Sequence, residues 1–166
     1  MAVAVGDAMC CRVRVPAIGA GTELNTARGR VRFTPTAAFA RLAGAAIEDL
    51  RVGLPGAQSS NTVVVLGEKL FLKGYRRLQA GVNPEVEIGR FLTDVGFANS
   101  VPVAGTIDYI ADDGQIATLA LLQGYVENQG DGWTVTRNYL ERFLQQSTPP
   151  HAQSPTPPSL HGGYLS

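Results

Sequence analysis

Lys73 is the residue whose surroundings point most directly to chemistry. It is one of two lysines in the chain and lies in the apolar run Leu70–Gly74, which is typical of a buried strand. An ammonium group in such a strand needs a carboxylate partner, because burying an unpaired charge is costly. The sequence offers two candidates, Glu85 and Glu87, in a helix that Asn83-Pro84 begins.

We favour Glu87 as the partner of Lys73. It immediately precedes Ile88, at the edge of the helix face that we expect to be buried, so its side chain can point at the sheet. Glu85 is better explained as an acidic residue at the positive end of the helix dipole. The alternative is that the stem of Lys73 is partly buried and its ammonium group reaches solvent from an edge strand.

A lysine fixed in this way suits the binding of phosphate groups. Phosphoryl transfer requires mainly that phosphates be held in line and their charge be neutralised. The polar turn that ends in Ser60, Asn61 and Thr62 precedes the lysine strand and could lie over phosphates, although it could equally be an ordinary hairpin turn. A polar turn, a strand lysine and a helix glutamate, in that order, are typical of the nucleotide-binding half of a protein-kinase-like fold.

The segment Leu119–Val126 predicts a buried strand that continues into a connector. In kinase-like folds the backbone of this connector contacts adenine, which makes Gln123, Tyr125 and Val126 candidate nucleotide-binding residues. The alternative is simply a strand that ends at Gly124.

The surrounding segments predict the elements that would position these residues. The expected order is strands at 48–54, 62–67 and 69–75, a helix at 84–95, and strands at 106–111 and 115–126. Turn residues support both hairpins, at Gly67-Glu68 and at Asp112-Asp113-Gly114. We therefore expect an α+β fold in which one helix crosses a five-stranded antiparallel sheet, as in the small lobe of a protein kinase.

The helix at 84–95 has a regular apolar pattern. Ile88, Phe91, Leu92 and Val95 follow the i, i+3, i+4, i+7 spacing that predicts one buried face, and Gly96 ends the helix. A second amphipathic helix is expected at 133–146.

Residues 1–50 are expected to form a short, β-rich, cap-like subdomain. Arg12–Val15 and Arg30–Phe33 alternate polar and apolar residues, as half-buried strands do, and Thr36 could cap a short helix that runs towards Ile47. The expected divisions are the cap at 1–50, the lobe with its connector at 51–127, a loop and helix at 128–146, and a proline-rich linker with the start of a further segment at 147–166.

Composition narrows the functional classes. The chain has 14 basic and 14 acidic residues and no net charge, which argues against nucleic acid or an anionic membrane as its main partner. No stretch approaches the about 18 apolar residues of a membrane helix. Cys10 and Cys11 are adjacent, so we expect free thiols rather than a disulfide between distant segments. A soluble, cytoplasmic protein is expected.

Several motifs together closely resemble the maltokinase family, including the maltokinase module fused to trehalose synthase. They are Ser60-Asn61-Thr62, Leu72-Lys73, Arg76-Arg77-Leu78, Gly81-Val82-Asn83-Pro84 through Glu87, Arg90-Phe91-Leu92 and Asn128-Gln129-Gly130-Asp131-Gly132-Trp133. The resemblance covers roughly residues 28 to 146. It implies an enzyme that uses ATP and Mg²⁺ to phosphorylate maltose at its anomeric hydroxyl, giving maltose 1-phosphate for α-glucan synthesis.

The resemblance also implies roles for individual positions. Ser60–Thr62 would lie over the phosphates, Lys73 would contact them, Glu87 would hold the lysine, and Gln123–Val126 would be the hinge. The family's large lobe, with a His-Gly-Asp catalytic loop and a metal-binding Asp-Phe-Glu, has no counterpart in these residues. We therefore assign no catalytic or metal-binding residue and expect this chain alone to be inactive and to be part of a longer kinase.

Three departures from the family pattern affect the expected phosphate site. Gln58-Ser59 stands where the family has a Glu-Gln pair, Val63 replaces a frequent serine, and Gly74 follows the lysine in place of a large apolar residue. The alternative function is a non-catalytic interaction module that associates with trehalose synthase or another glucan-metabolising enzyme.

Overall fold

A computed structural model describes residues 8–44, 50–54, 61–127 and 132–147. The chain divides into two compact units, Met1–Glu127 and Asn128–Ser166. Ser60 and Ile47 lie outside the described residues, and so do the side chains of Cys10 and Cys11.

The described elements form an α+β architecture with a seven-stranded antiparallel sheet and four helices. In chain order they are α1 Ala8–Gly19, β1 Glu23–Thr26, β2 Gly29–Pro35, α2 Phe39–Ala43, β3 Val52–Gly53, β4 Thr62–Leu66, β5 Leu70–Gly74, α3 Pro84–Asp94, β6 Val103–Ala111, β7 Ile116–Gly124 and α4 Gly132–Ser147. The order across the sheet is β1-β2-β6-β7-β5-β4-β3. The first unit contains the sheet with α1 to α3, and the second contains α4, which confirms the helix predicted at 133–146.

Both predicted hairpins are confirmed, and each depends on residues with positive φ. In the β4–β5 turn, Gly67 and Glu68 have φ of 55° and 54°, and the Lys69 N–H donates to the Leu66 carbonyl. These dihedrals match the twist of the two strands, which ordinary turns do not. In the β6–β7 turn the left-handed residue comes last: Gly114, with φ of 84°, follows Asp112 and Asp113, and its N–H donates to the Ala111 carbonyl.

One face of the sheet carries the main hydrophobic core. Alternate residues of the central strands, such as Val64, Leu72 and Leu122, are fully buried there against α1 and α2. From α1, Val15 and Ile18 enter this core at the i, i+3 spacing of one helix face.

The strand predicted at Arg12–Val15 is wrong, because these residues belong to α1. The alternation that suggested a strand requires Val13 and Val15 to face the same side. In the helix they point about 200° apart, and Val13 is 69% exposed whereas Val15 is 2% exposed. Packing onto β2 and β6, far away in sequence, therefore outweighs the local pattern.

The opposite face of the sheet carries α3. Its limits agree with prediction, because the Asn83 side chain accepts from the Glu85 and Val86 N–H groups, and Gly96, with φ of 68°, follows the last turn. The predicted buried face is wrong, however. Ile88, Phe91 and Val95 are 58%, 64% and 59% exposed, and Leu92, the fourth residue of that face, is half-buried.

The face of α3 that contacts the sheet is made of small and polar residues with one valine. Val86 packs against Val103 and Leu121. A Cβ added at Gly89 would lie 2.8 Å from Val103 Cγ2, so the glycine permits a close approach. Thr93 Oγ1 accepts from the Val103 N–H at 2.8 Å. Close packing against Val103, rather than the number of apolar residues on a helix face, therefore decides which side of α3 faces the sheet.

Residues 8–44 do not form a separate sheet. β2 pairs with β6 along its whole length, from Gly29 opposite Ala111 to Pro35 opposite Gly105, so β1 and β2 extend the five predicted strands to seven. The predicted short helix after Thr36 is α2, where Thr36 Oγ1 accepts from the Ala38 N–H. Within the described ranges, no helix combines the length and the apolar character needed to cross a membrane.

Candidate functional site

Strand β5 and helix α3 bring Lys73 and Glu85 together. The Lys73 ammonium nitrogen lies 2.7 Å from Glu85 Oε2 and 2.8 Å from Oε1, so the carboxylate accepts with both oxygens. Lys73 stands in the middle of the sheet, opposite Val63 of β4 and Leu121 of β7. The ammonium group therefore has a fixed height above the sheet face that carries α3.

Tyr75 completes this cluster. Its hydroxyl donates to Glu85 Oε2 at 2.8 Å, and the Lys73 ammonium lies 5.6 Å from the centre of its ring. Burial, and then the hydrogen bond to Glu85 and the negative charge of that carboxylate, raise the pKa of Tyr75 well above its ordinary value. Tyr75 consequently stays protonated and remains a donor to Glu85 at neutral pH.

The preference for Glu87 as the partner of Lys73 is wrong. Glu85 and Glu87 are about 200° apart around α3, so only one of them can face β5 when Val86 between them points at the sheet. Glu87 points to the other flank, where it lines a cavity together with Arg90. The choice failed because it assumed that the Ile88 side of the helix was buried.

The end of the predicted polar turn lies close to the lysine strand. Thr62 is opposite Gly74, one residue from Lys73. Arg76 donates to Thr62 Oγ1 at 3.3 Å and to the Asn61 carbonyl at 3.2 Å. Arg76 thus holds the start of β4 beside β5. Thr62 lies on the same face of β4 as the buried Val64, so its side chain is on the sheet face opposite to Lys73.

The predicted connector begins within the sheet. Gln123 is still part of β7, opposite Phe71, and the Tyr125 N–H donates to the Lys69 carbonyl at 2.8 Å. That N–H is therefore already used by the protein. Val126 follows β7, and its side chain is exposed.

Sequence reasoning missed a buried polar cluster on the same sheet face. Both carboxylate oxygens of Asp108 accept hydroxyl hydrogen bonds, from Thr106 at 2.8 Å and from Thr118 at 3.0 Å. Arg32 of β2 lies directly opposite Asp108. The available signal was a run of polar residues at alternate positions of an otherwise apolar strand, Thr106 and Asp108.

Metal ligands and known families contribute no further assignment. Among the described residues, no group of three or more histidine, cysteine, aspartate or glutamate side chains could hold a metal ion. No family model matches this chain. The expected use of Mg²⁺ and the resemblance to maltokinase both stay predictions.

Proposed function

We propose that this chain is the ATP-binding portion of a sugar kinase of the maltokinase type, with maltose as the acceptor in the complete enzyme. The observation that supports this most strongly is the ion pair between Lys73 of a central strand and Glu85 of α3. Protein kinases depend on such a pair, because the carboxylate keeps the strand lysine where it can contact nucleotide phosphates. Glu85 takes the role first assigned to Glu87.

The chemistry at Lys73 suits a phosphate ligand. The ammonium group has three donors, of which Glu85 uses two, and the lysine side chain is 23% exposed, so a ligand can reach it from the open side. In this arrangement the turn that includes Ser60 and Asn61 would cover the phosphates, whereas the Thr62 side chain lies on the other sheet face and contacts Arg76. Adenine would lie towards the connector Gln123–Val126, where the Tyr125 N–H already donates to the Lys69 carbonyl.

This chain supplies binding and orientation but not the transfer step. The sequence contains no His-Gly-Asp segment to orient the sugar hydroxyl, and we assign none of its residues to Mg²⁺. Bound Mg²⁺ would neutralise the charge of the phosphates during transfer. In this proposal Lys73 contacts the phosphates of the nucleotide, and Glu85 holds the Lys73 ammonium group in position above the sheet.

A matched pair of variants tests this function. We expect isothermal titration calorimetry with ATP·Mg²⁺ to give saturable binding to the chain, which Lys73→Met abolishes and Glu85→Gln weakens about tenfold or more. Glu87→Gln removes the same charge two residues away and should change the affinity by less than about twofold. The ion pair is partly exposed and contributes about 1 kcal/mol or less to folding, so all three variants should remain folded.

The alternative, a non-catalytic module that binds trehalose synthase or another glucan enzyme, is favoured by one observation. Ile88, Phe91 and Val95 form an apolar stripe on α3 that faces away from the sheet. This alternative requires negligible affinity for ATP·Mg²⁺ and co-purification with such an enzyme. Equal affinities of Glu85→Gln and Glu87→Gln for the nucleotide would contradict the kinase assignment.

A further inference from the structure

A cavity of about 520 Å³ lies on the flank of α3 opposite to the Lys73–Glu85 pair. It is bounded by the first turns of α3, by β2, and by the hairpin end of β6 and β7. Its volume falls within the range of small-molecule sites. Its charged lining residues are Arg32, Glu87, Arg90 and Asp108.

The guanidinium groups of this cavity form no hydrogen bond or ion pair with any residue that the structure describes. Arg32 Nε is inaccessible to solvent and has no hydrogen-bond partner among those residues. Arg90 is partly buried, and in the described part of the chain no carboxylate lies within ion-pair distance of it. A buried N–H without an acceptor is costly, and a specific unsatisfied group of this kind often marks the place of an absent ion or ligand.

The carboxylates of the cavity do not supply the missing acceptors. Asp108 is directly opposite Arg32, but its carboxylate accepts from two threonine hydroxyls and forms neither a hydrogen bond nor an ion pair with the guanidinium group. Glu87 is exposed to solvent and forms no ion pair within the described residues. None of the carboxylates that the structure describes therefore satisfies Arg32, and a bound anion would.

We propose that this cavity binds a small molecule that carries an oxyanion, a phosphate or a carboxylate, on an apolar body. Arg32 and Arg90 hold the oxyanion, since the planar guanidinium group matches the geometry of both kinds of anion. The remaining lining includes Val82, Val86 and Ile116, which provide apolar surface for the rest of the ligand. This site does not depend on nucleotide binding at Lys73.

Calorimetry on the full chain with phenyl phosphate, benzoate and inorganic phosphate tests this site. We expect saturable binding of phenyl phosphate or benzoate, and the tighter of the two identifies the oxyanion. Inorganic phosphate should bind more weakly because it lacks an apolar body. Arg90→Gln and Arg32→Gln should each weaken the tighter probe about tenfold or more.

Two further variants locate the probe. Glu87→Gln should tighten binding, because it removes a negative charge beside the anion. Lys73→Met removes one positive charge elsewhere on the same sheet face and should leave the affinity unchanged. If Arg32→Gln fails to fold, Arg90→Gln still decides the outcome, together with methyl chemical shifts of Val82 and Ile116 on titration of the unmodified chain. No saturable binding, no effect of Arg90→Gln, or an equal loss in Lys73→Met would overturn the proposal.

Discussion

The Glu85 carboxylate accepts from two side chains at once, the ammonium group of Lys73 and the hydroxyl of Tyr75. Two donors, one in β5 and one directly after it, orient a carboxylate more firmly than one ion pair on a partly exposed surface does. The Asn83 side chain caps α3 and accepts from the Glu85 N–H. This contact also fixes the backbone position of Glu85. The cluster is therefore held in one arrangement from several directions.

Tyr75 should give the cluster a characteristic pH dependence. Its pKa is raised in the folded chain, so the folded state holds the phenolic proton more tightly than the unfolded state does. This contribution to stability is fully present below the ordinary tyrosine pKa of about 10 and is lost as the pH rises towards the raised folded value. We expect the free energy of unfolding of the unmodified chain to fall above about pH 10, relative to Tyr75→Phe, in urea titrations. Parallel pH profiles of the two proteins would contradict this reading of Tyr75.

At the residue scale, the sequence was sufficient to predict that Lys73 needs a carboxylate partner. It was not sufficient to predict which carboxylate that is. A lysine in an apolar strand needs a carboxylate wherever the strand lies, and this requirement is local. Choosing between Glu85 and Glu87 required the rotation of α3 about its own axis. That rotation depends on Gly89 and Thr93 meeting Val103, which is a contact between elements distant in sequence.

The same distinction holds for the elements. The limits of α3 and the two hairpins were predictable because their signals are local: a side-chain cap at Asn83, and turn residues at Gly67-Glu68 and Asp113-Gly114. The conformation of Arg12–Val15 was not predictable, because the same alternation fits a strand and a helix whose Val15 side faces a core. The outward apolar stripe of α3 could not be anticipated from periodicity, which assumes that the most apolar face is buried.

The orientation of α3 can be tested with two substitutions on opposite sides of the helix. Val86→Ala should destabilise the chain by about 1–2.5 kcal/mol, because Val86 is 9% exposed and packs on Val103 and Leu121. Ile88→Ala truncates a larger apolar side chain than Val86→Ala does. It should nevertheless change stability by about 0.5 kcal/mol or less, because Ile88 is on the outward face of α3. Chemical denaturation measures both. A larger loss for Ile88→Ala would mean that α3 is rotated from the position described here.

At the scale of the whole molecule, the sheet joins segments that are far apart in the chain. β2 lies next to β6, although more than 60 residues separate them, and each residue of β2 has a partner in β6. No local feature of β2 specifies β6 as its partner, and β6 is buried on both faces over most of its length rather than alternating. The pairing of β2 with β6 explains why residues 8–44 belong with the rest of the first unit. Their sequence had instead suggested a separate cap.

Two deletions of similar size should therefore have opposite effects. Removing residues 1–44 takes away β1 and β2, leaves β6 as an unpaired edge, and uncovers the core face that α1 and α2 bury. We expect this chain to lose cooperative urea unfolding and to aggregate. Removing residues 128–166 keeps all seven strands, so cooperative unfolding should persist. Full-length Ile18→Ala, with a fully buried side chain, should be destabilised by about 2–5 kcal/mol. Cooperative unfolding of the chain without residues 1–44 would establish that the core does not need them.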